Sequence, residues 1–431
     1  MGQGITRRTF AKAVAASSLL PLTGLCALRR RTNVVCILID QLRKDAADLF
    51  LDRINRLAKR AIRFEQMRSV APWTYPSVIS FLSGLYPQQH QADGQLSSDR
   101  LSTFDRRVPL LQKTLRSAGY RTAAFVANPF LHKWNPFHEG FETYNISFIN
   151  TTGNIRGSGK VWPAERMFAN TVNPSIIEHF DRNPPHAPEF TYVHYMDVHG
   201  PWKGAPFTPD YESAVRYIDE RIIEIYDYLM QRYDGEVLFF VTSDHGRALN
   251  DDLRQGYGEP WRKCKLSVHD FNLRIPFMVL PSNVVQGSEK VLLPCSNVDF
   301  VPTVLDWLGI VRRNRTPARS LMPAIWKQSA CGEERALYAK VSAFGGLSDC
   351  IVFQAKKFVR FFNIKTAQVA ARRVFDLRTD PQETTSLDGD FANGSTLLRE
   401  AAGTHGLAYT ARYERMSPEV EARLRGLGYL Q

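Results

Sequence analysis

The segment that most constrains the fold is NVVCILID, Asn33–Asp40, an uninterrupted apolar run that stops at a carboxylate. A strand with one wet face alternates apolar and polar residues, whereas a run apolar on both faces belongs inside a sheet covered on both sides, the setting of parallel strands. Such sheets open their sites at the carboxyl ends of the strands. Asp40 therefore stands where chemistry concentrates. Two later segments repeat the pattern: EFTYVHYMDVHGPW runs into His199, and EVLFFVTSDHG runs into the pair Asp244 and His245.

Helical spacing lies between these runs. Leu49, Ile54, Leu57 and Ile62 predict one helix after the first strand, and Val215, Ile218, Ile222, Ile225 and Leu229 predict a second before the last. LLQKTLRSAGYRTAAFVAN reads as helix, glycine stop and strand. Strands alternating with helices imply an α/β fold, a large mixed, mostly parallel sheet sandwiched by helices. Beyond about Arg335 the texture changes, since CIVFQAKKFVRFFN and RRVFDLRTDPQE read as antiparallel strands with turns. The expected organisation is a leader over 1–31, a catalytic domain over 32–330 and a small α+β C-terminal subdomain over 331–431.

The formal charge of +12 invites comparison with nucleic-acid binders, but half of it comes from Arg7, Arg8, Lys12, Arg29, Arg30 and Arg31. No basic run with interleaved aromatics follows, so no nucleic-acid partner is expected. Arg7 and Arg8 precede an apolar stretch of roughly fifteen residues, short of the ~20 that a span requires. This resembles a twin-arginine signal and implies passage through the twin-arginine export machinery to the periplasm or cell exterior. Retention at the membrane by an uncleaved N-terminus is the alternative. The six cysteines form no C-x-x-C; Cys264 with Cys295, or Cys331 with Cys350, could pair after export, and all read equally as structural thiols.

APWTYPSVISFLSGLYPQQH, Ala71–His90, adds a hydroxyl, Thr74, set between two aromatics just before a proline. Thr74 can cap the helix of PSVISFLSG, and it can also be a nucleophile, because a helix N-terminus favours an anion. Carboxylates with an imidazole suit one divalent cation, Ca²⁺, Mn²⁺ or Zn²⁺, and such an ion lowers the pKa of an adjacent hydroxyl. His199 and Lys265 are candidates for holding the oxygens of a tetrahedral anion or protonating a leaving group.

Taken in order, NVVCILIDQLR, TYPSVISFLSGLYPQQH, HYMDVHGPW, VTSDHG, KLSVHDFNLRIP, SNVDFVPTVLDWLGI and VFDLRTDPQETTSL resemble the motifs of the sulfatase family within the alkaline phosphatase superfamily. The resemblance implies an alkaline phosphatase-like fold, Asp40, Gln41, Thr74, Asp244 and His245 as metal ligands, and Thr74, His199 and Lys265 as catalytic residues. It also implies an anionic ester substrate: a small molecule, glycan or lipid headgroup.

The departures bear on mechanism. Gln41 stands where many sulfatases carry a second aspartate. TYPSV replaces C-x-P-S-R, so Thr74 cannot be matured to formylglycine and Val78 replaces an arginine. FVANPFLH stands where the resemblance expects a lysine-and-histidine segment and does not match it, so one pair of anion-holding groups is missing, and Asn128 falls in that space. A formylglycine hydrate expels sulfate by collapsing to the aldehyde, an exit closed to a sulfated threonine, whereas phosphothreonine is open to in-line attack at phosphorus. The expectation is a metal-dependent hydrolase of sulfate, phosphate or phosphonate esters that leans toward phosphorus. The alternatives are a periplasmic phosphotransferase of the phosphoethanolamine or phosphoglycerol type and a catalytically silent binding protein.

Overall fold

A computed structural model describes residues 32–421 except 98–99, 147–167, 201, 203, 250–265, 286, 312–315, 326–334, 344–345, 364, 388–390, 404–411, 416–417 and 419–420. The twin-arginine segment, Lys265, Cys26, Cys264 and Cys331 lie outside the described residues. Cys36, Cys295 and Cys350 are buried free thiols.

The central sheet has eight strands: β1 (Asn33–Ile39), β2 (Ile62–Phe64), β3 (Arg121–Val126), β4 (Thr143–Ile146), β5 (Glu189–Tyr195), β6 (Val237–Ser243), β7 (Phe277–Val279) and β8 (Glu289–Val291). Their order is β8-β2-β7-β6-β1-β5-β3-β4, and only β7 runs antiparallel to its neighbours. This is the mixed, mostly parallel sheet expected. Every residue of β1 is buried, and its side chains alternate between two cores. Val34, Cys36 and Leu38 face one core, and Val35, Ile37 and Ile39 face the other. Each fully buried aliphatic side chain contributes about 1.5–3 kcal/mol, and the double-sided covering explains why this run contains no polar interruption.

Helices cover both faces. The first core receives α3 (Thr74–Ser83), α4 (Leu111–Ser117) and α8 (Phe300–Trp307); the second receives α1 (Lys44–Phe50), α2 (Asp52–Ala58), α5 (Ala169–Arg182) and α6 (Tyr211–Arg232). All five positions predicted to face the core on α6 are buried. The single helix expected after β1 is instead two. Leu51 is buried at the break, Leu49 is 65% exposed, and Ile62 belongs to β2. The cause is tertiary: both Asp219 carboxylate oxygens, on α6, accept from the Arg53 and Ile54 amides at 2.6 and 2.9 Å. That capping starts a fresh helix at Asp52, where periodicity alone would continue the old one.

The C-terminal region forms an antiparallel sheet of β9 (Leu337–Ala343), β10 (Gly346–Phe353), β11 (Lys356–Phe362) and β12 (Val369–Asp376), as its sequence suggests. Val341, Cys350, Val359, Phe361 and Phe375 are buried in the same core as α3. A buried ionic group reinforces this union. Asp270, which opens the short helix α7 (Asp270–Leu273), is held by Arg68 at 2.6 Å and by Lys357 of β11 at 2.9 Å, and Lys357 also meets Glu383 at 2.8 Å.

Candidate active site

Strand register assembles the site. Ile39 of β1 pairs with Ser243 of β6, so the next residues, Asp40 and Asp244, emerge side by side. On the other flank Leu38 pairs with His194 of β5, and Val126 of β3 pairs with the same histidine. Four adjacent strands thus deliver Asp244, Asp40, His194 and, just past β3, Asn128 to one edge.

Thr74 reaches this edge from α3. The cap position of that helix is Trp73, and no side chain caps it, so Thr74 is the first helical residue and not the cap. Its hydroxyl donates to Asp40 Oδ2 at 3.1 Å and lies 3.4 Å from His245 Nε2. Ser77, a turn later, fastens the helix start to the β6 loop by donating to the Asp244 carbonyl at 2.6 Å. Ser69 and the Asn297 amide in turn donate to Ser77 Oγ, both at 2.9 Å. Ser77 is a positioning residue.

Asp40, Asp244 and His245 form a buried set whose ligand atoms lie within 4.8 Å of one another. Asp40 Oδ1 and Asp244 Oδ2 are buried with no hydrogen-bond partner among the described residues. Two such acceptors converging with an imidazole are costly as they stand and match a divalent cation of the oxygen- and nitrogen-binding kind. Gln41 enters the same loop by its backbone: its N–H donates to Asp244 Oδ1 at 3.2 Å and its carbonyl accepts from the Tyr211 hydroxyl at 2.8 Å. Its φ of 60° places it in the left-handed region.

Asp40 Oδ2 is crowded in contrast to Oδ1. Besides Thr74 it receives the Asn128 amide at 2.5 Å, and His194 Nε2 lies 3.2 Å away. Tyr192 supports His194 from behind at 2.9 Å. Burial pushes both carboxyls up. At Asp40 the His194 hydrogen bond and the charges of His199 and His245 outweigh it, holding the carboxyl well below the usual range. At Asp244 the neighbouring Asp40 charge adds to burial, and its pKa is raised. His199 is buried in the loop after β5; burial pushes its pKa down to about 4 against the pull of Asp40.

The site thus gathers Asp40, Gln41, Thr74, Asp244 and His245. His194 and Asn128 contribute more directly than their sequence context suggests, because the two-residue period of β5 carries Tyr192 and His194 on one face. Asp197 lies apart from the metal set. Its Oδ1 accepts from the Ala169 N–H at 2.9 Å at the start of α5, and burial pushes its carboxyl up to about 7. Arg274 donates to the Glu65 carbonyl at 3.0 Å, and His269 lies 2.9 Å from the Ser267 hydroxyl. His90 is buried against Ser80 and the Ala92 amide, which fixes the turn after α3.

The family model described as Sulfatase matches residues 32–310. The chain is 23% identical to the choline-sulfatase of Rhizobium meliloti, over 83% of this chain and 82% of that protein. Among solved structures, the phosphonate monoester hydrolase of Silicibacter pomeroyi superposes with a TM-score of 0.62 at 18% identity, covering 89% of this chain and 99% of the other. A protein solved in complex with D-glucosamine-2-N,6-O-disulfate superposes with a TM-score of 0.66 at 16% identity, covering 87% and 98%. These structural likenesses bear on the fold.

Proposed function

We propose that this chain, an ester hydrolase that belongs to the sulfatase family, attacks a phosphate, phosphonate or sulfate ester with the Thr74 hydroxyl. The observation that carries the reading is the placement of Thr74 Oγ1, 3.1 Å from Asp40 Oδ2 and 3.4 Å from His245 Nε2, in place of a capping role. In this reading Asp40, Asp244 and His245 hold one divalent cation, with Gln41 and Thr74 completing the set. Such an ion, when bound, lowers the pKa of a coordinated hydroxyl and draws charge from the oxygens of the transferred group.

The chain's own groups do the rest. The Thr74 proton leaves along its contact with Asp40 Oδ2 as Oγ1 bonds to phosphorus or sulfur. The ester bond breaks with its electron pair on the departing oxygen, which takes a proton from Lys265, or from His199 where the substrate anion beside it restores the charge that burial removes. Water then attacks the same centre and releases Thr74. That second step favours phosphorus, since sulfothreonine lacks the aldehyde exit of formylglycine.

The reading includes export by the twin-arginine route, catalysis over residues 32–330 and a supporting subdomain over 331–431. No helix among the described residues is long and apolar enough to cross a membrane. The test is a panel of aryl sulfates, phosphate mono- and diesters and phosphonates, each with Mn²⁺, Zn²⁺ or Ca²⁺, and Thr74→Ala as control. Phosphoester or phosphonate turnover abolished in Thr74→Ala is expected. Turnover of sulfate esters alone would overturn the preference for phosphorus, and activity surviving Thr74→Ala would remove the nucleophile. Phosphothreonine that discharges only to an added alcohol would instead identify a transferase.

A further inference from the structure

Both carboxylates of the metal set have one oxygen taken and one left over. Asp244 Oδ1 accepts from the Gln41 N–H at 3.2 Å and from the His245 N–H at 2.8 Å, while its Oδ2 is buried with no hydrogen-bond partner among the described residues. Asp40 Oδ2 collects the Thr74 hydroxyl, the Asn128 amide and His194, and its Oδ1 is left over in the same way. His245 follows suit. Its Nδ1 lies 2.6 Å from the Gly246 carbonyl, which has no proton to give, so Nδ1 carries the proton of the neutral imidazole. Nε2 keeps a lone pair, 3.5 Å from Asp244 Oδ2. The set therefore presents one atom from each side chain: Asp40 Oδ1, Asp244 Oδ2 and His245 Nε2.

Supporting residues enforce this choice of oxygen at Asp40. The Phe130 N–H donates to Asn128 Oδ1 at 2.8 Å, which turns the amide nitrogen toward Asp40. Behind His194 stands the Tyr192 hydroxyl, 2.9 Å from Nδ1 and with no other partner among the described residues. Its proton goes to Nδ1, so His194 carries its own proton on Nε2 and donates to Asp40 Oδ2 at 3.2 Å. Tyr192 is fully buried, with the ring centroids of Phe137 and Phe141 at 5.9 and 6.4 Å, and this packing holds it behind the imidazole.

We propose that His194, locked by Tyr192, is a positioning residue that restricts Asp40 to one oxygen toward the ion and so favours Zn²⁺ over Ca²⁺. Zn²⁺ in open sites takes about three protein atoms, imidazole nitrogen included, and leaves a further position free. Ca²⁺ takes about six to eight oxygens and gains from carboxylates that give both of theirs. The inference rests on the reading above only in that Asp40, Asp244 and His245 hold the ion, and it does not require Thr74 to be the nucleophile.

The test titrates Zn²⁺ and Ca²⁺ calorimetrically into the metal-stripped full-length protein, with His245→Ala as the blank for ions held elsewhere. The readout is the ratio of the two dissociation constants. In the wild-type protein Ca²⁺ is expected to bind with a Kd of about 10⁻⁴–10⁻³ M and Zn²⁺ at least ~100-fold more tightly. His194→Leu is expected to cut that ratio about tenfold, because Zn²⁺ loses a fixed ligand while Ca²⁺ gains the second Asp40 oxygen. His194→Gln, whose amide can still donate to Oδ2, is expected to keep the ratio within about threefold of wild type. Tyr192→Phe preserves the packing but releases the imidazole, so it shifts the ratio in the same direction as His194→Leu and decides the matter if the leucine variant does not fold. A role confined to stability would weaken both ions alike. Wild-type protein that binds Ca²⁺ as tightly as Zn²⁺, or a ratio unchanged in His194→Leu and Tyr192→Phe, overturns the inference. Binding of neither ion above the blank removes the metal reading itself, whereas the expected ratios without turnover of any ester remove only the hydrolase reading.

Discussion

Replacing Lys357 by methionine removes one of two cations from a buried group of four charges. Lys357 is fully buried, with Asp270 at 2.9 Å and Glu383 at 2.8 Å, while Arg68 holds the other side of Asp270 at 2.6 Å. Breaking a buried ion pair by removing one partner costs about 3–5 kcal/mol, because the surviving charge is left uncompensated. Here the survivor is Glu383, whose pKa burial already raises, with the Asp270 charge adding to it. Without Lys357 the folded state keeps Glu383 protonated. Above pH ~4.3 the unfolded chain gives up that proton, so the variant's stability falls as pH rises, by up to about 1.4 kcal/mol per unit. Within the wild-type group Asp270 works in the opposite direction: burial is outweighed there by Arg68 and Lys357, its carboxyl is held low, and its stabilisation is lost as pH falls below the ordinary carboxylate range. Urea unfolding at pH 5 and pH 8 separates the two. Lys357→Met is expected to lose about 3–5 kcal/mol near neutrality and less in acid, and Lys357→Met/Glu383→Gln to recover most of it. A deficit below about 1 kcal/mol, or one that grows toward acid, would refute the reasoning.

Other perturbations test the site and its supports. Burial pushes the His90 pKa down to about 3, so between there and pH ~6.5 the unfolded chain binds a proton the fold excludes, and stability drops as pH falls. His90→Gln should shrink the stability difference between pH 7 and pH 5 by about 2 kcal/mol in urea titrations. A Cβ on Gly246 would lie 2.1 Å from the Phe271 carbonyl, so Gly246→Ala should displace His245 and weaken Mn²⁺ binding, read by calorimetry. Asn128→Ala removes the 2.5 Å donor to Asp40 and the cap on the Phe130 N–H, and is expected to lower metal affinity about 10–100-fold at a stability cost of about 1 kcal/mol.

The strands were legible because β1 and β6 are apolar on both faces and because β1, β5 and β6 all lead into charged or imidazole groups, a pattern that needs no partner to be recognised. Asp40, Asp244 and His245 were legible for the same reason. His194 was harder, since a histidine inside an apolar strand reads as a core residue until the register places it beside Asp40. The break at Leu51 and the group around Asp270 depend on partners far away in sequence. Asp219 caps α2 from a separation of 166 positions, and Lys357 meets Asp270 from 87.

The division of labour at Asp40 explains why threonine and Asn128 suit each other. Oδ1 is turned to Asp244 and His245, while Oδ2 collects Thr74, Asn128 and His194. A lysine in the place of Asn128 would add a positive charge beside Oδ2 and weaken its attraction for the Thr74 proton. An amide orients the carboxylate without neutralising it, so Oδ2 stays a strong acceptor for the hydroxyl. A formylglycine hydrate carries a second hydroxyl to drive its own release, and threonine does not. Threonine depends on activation of its single oxygen and on water attacking the transferred centre later. On the proposed reading, Thr74, Val78 and Asn128 belong together, as parts of a site that would work through a hydroxyl and not through an aldehyde hydrate.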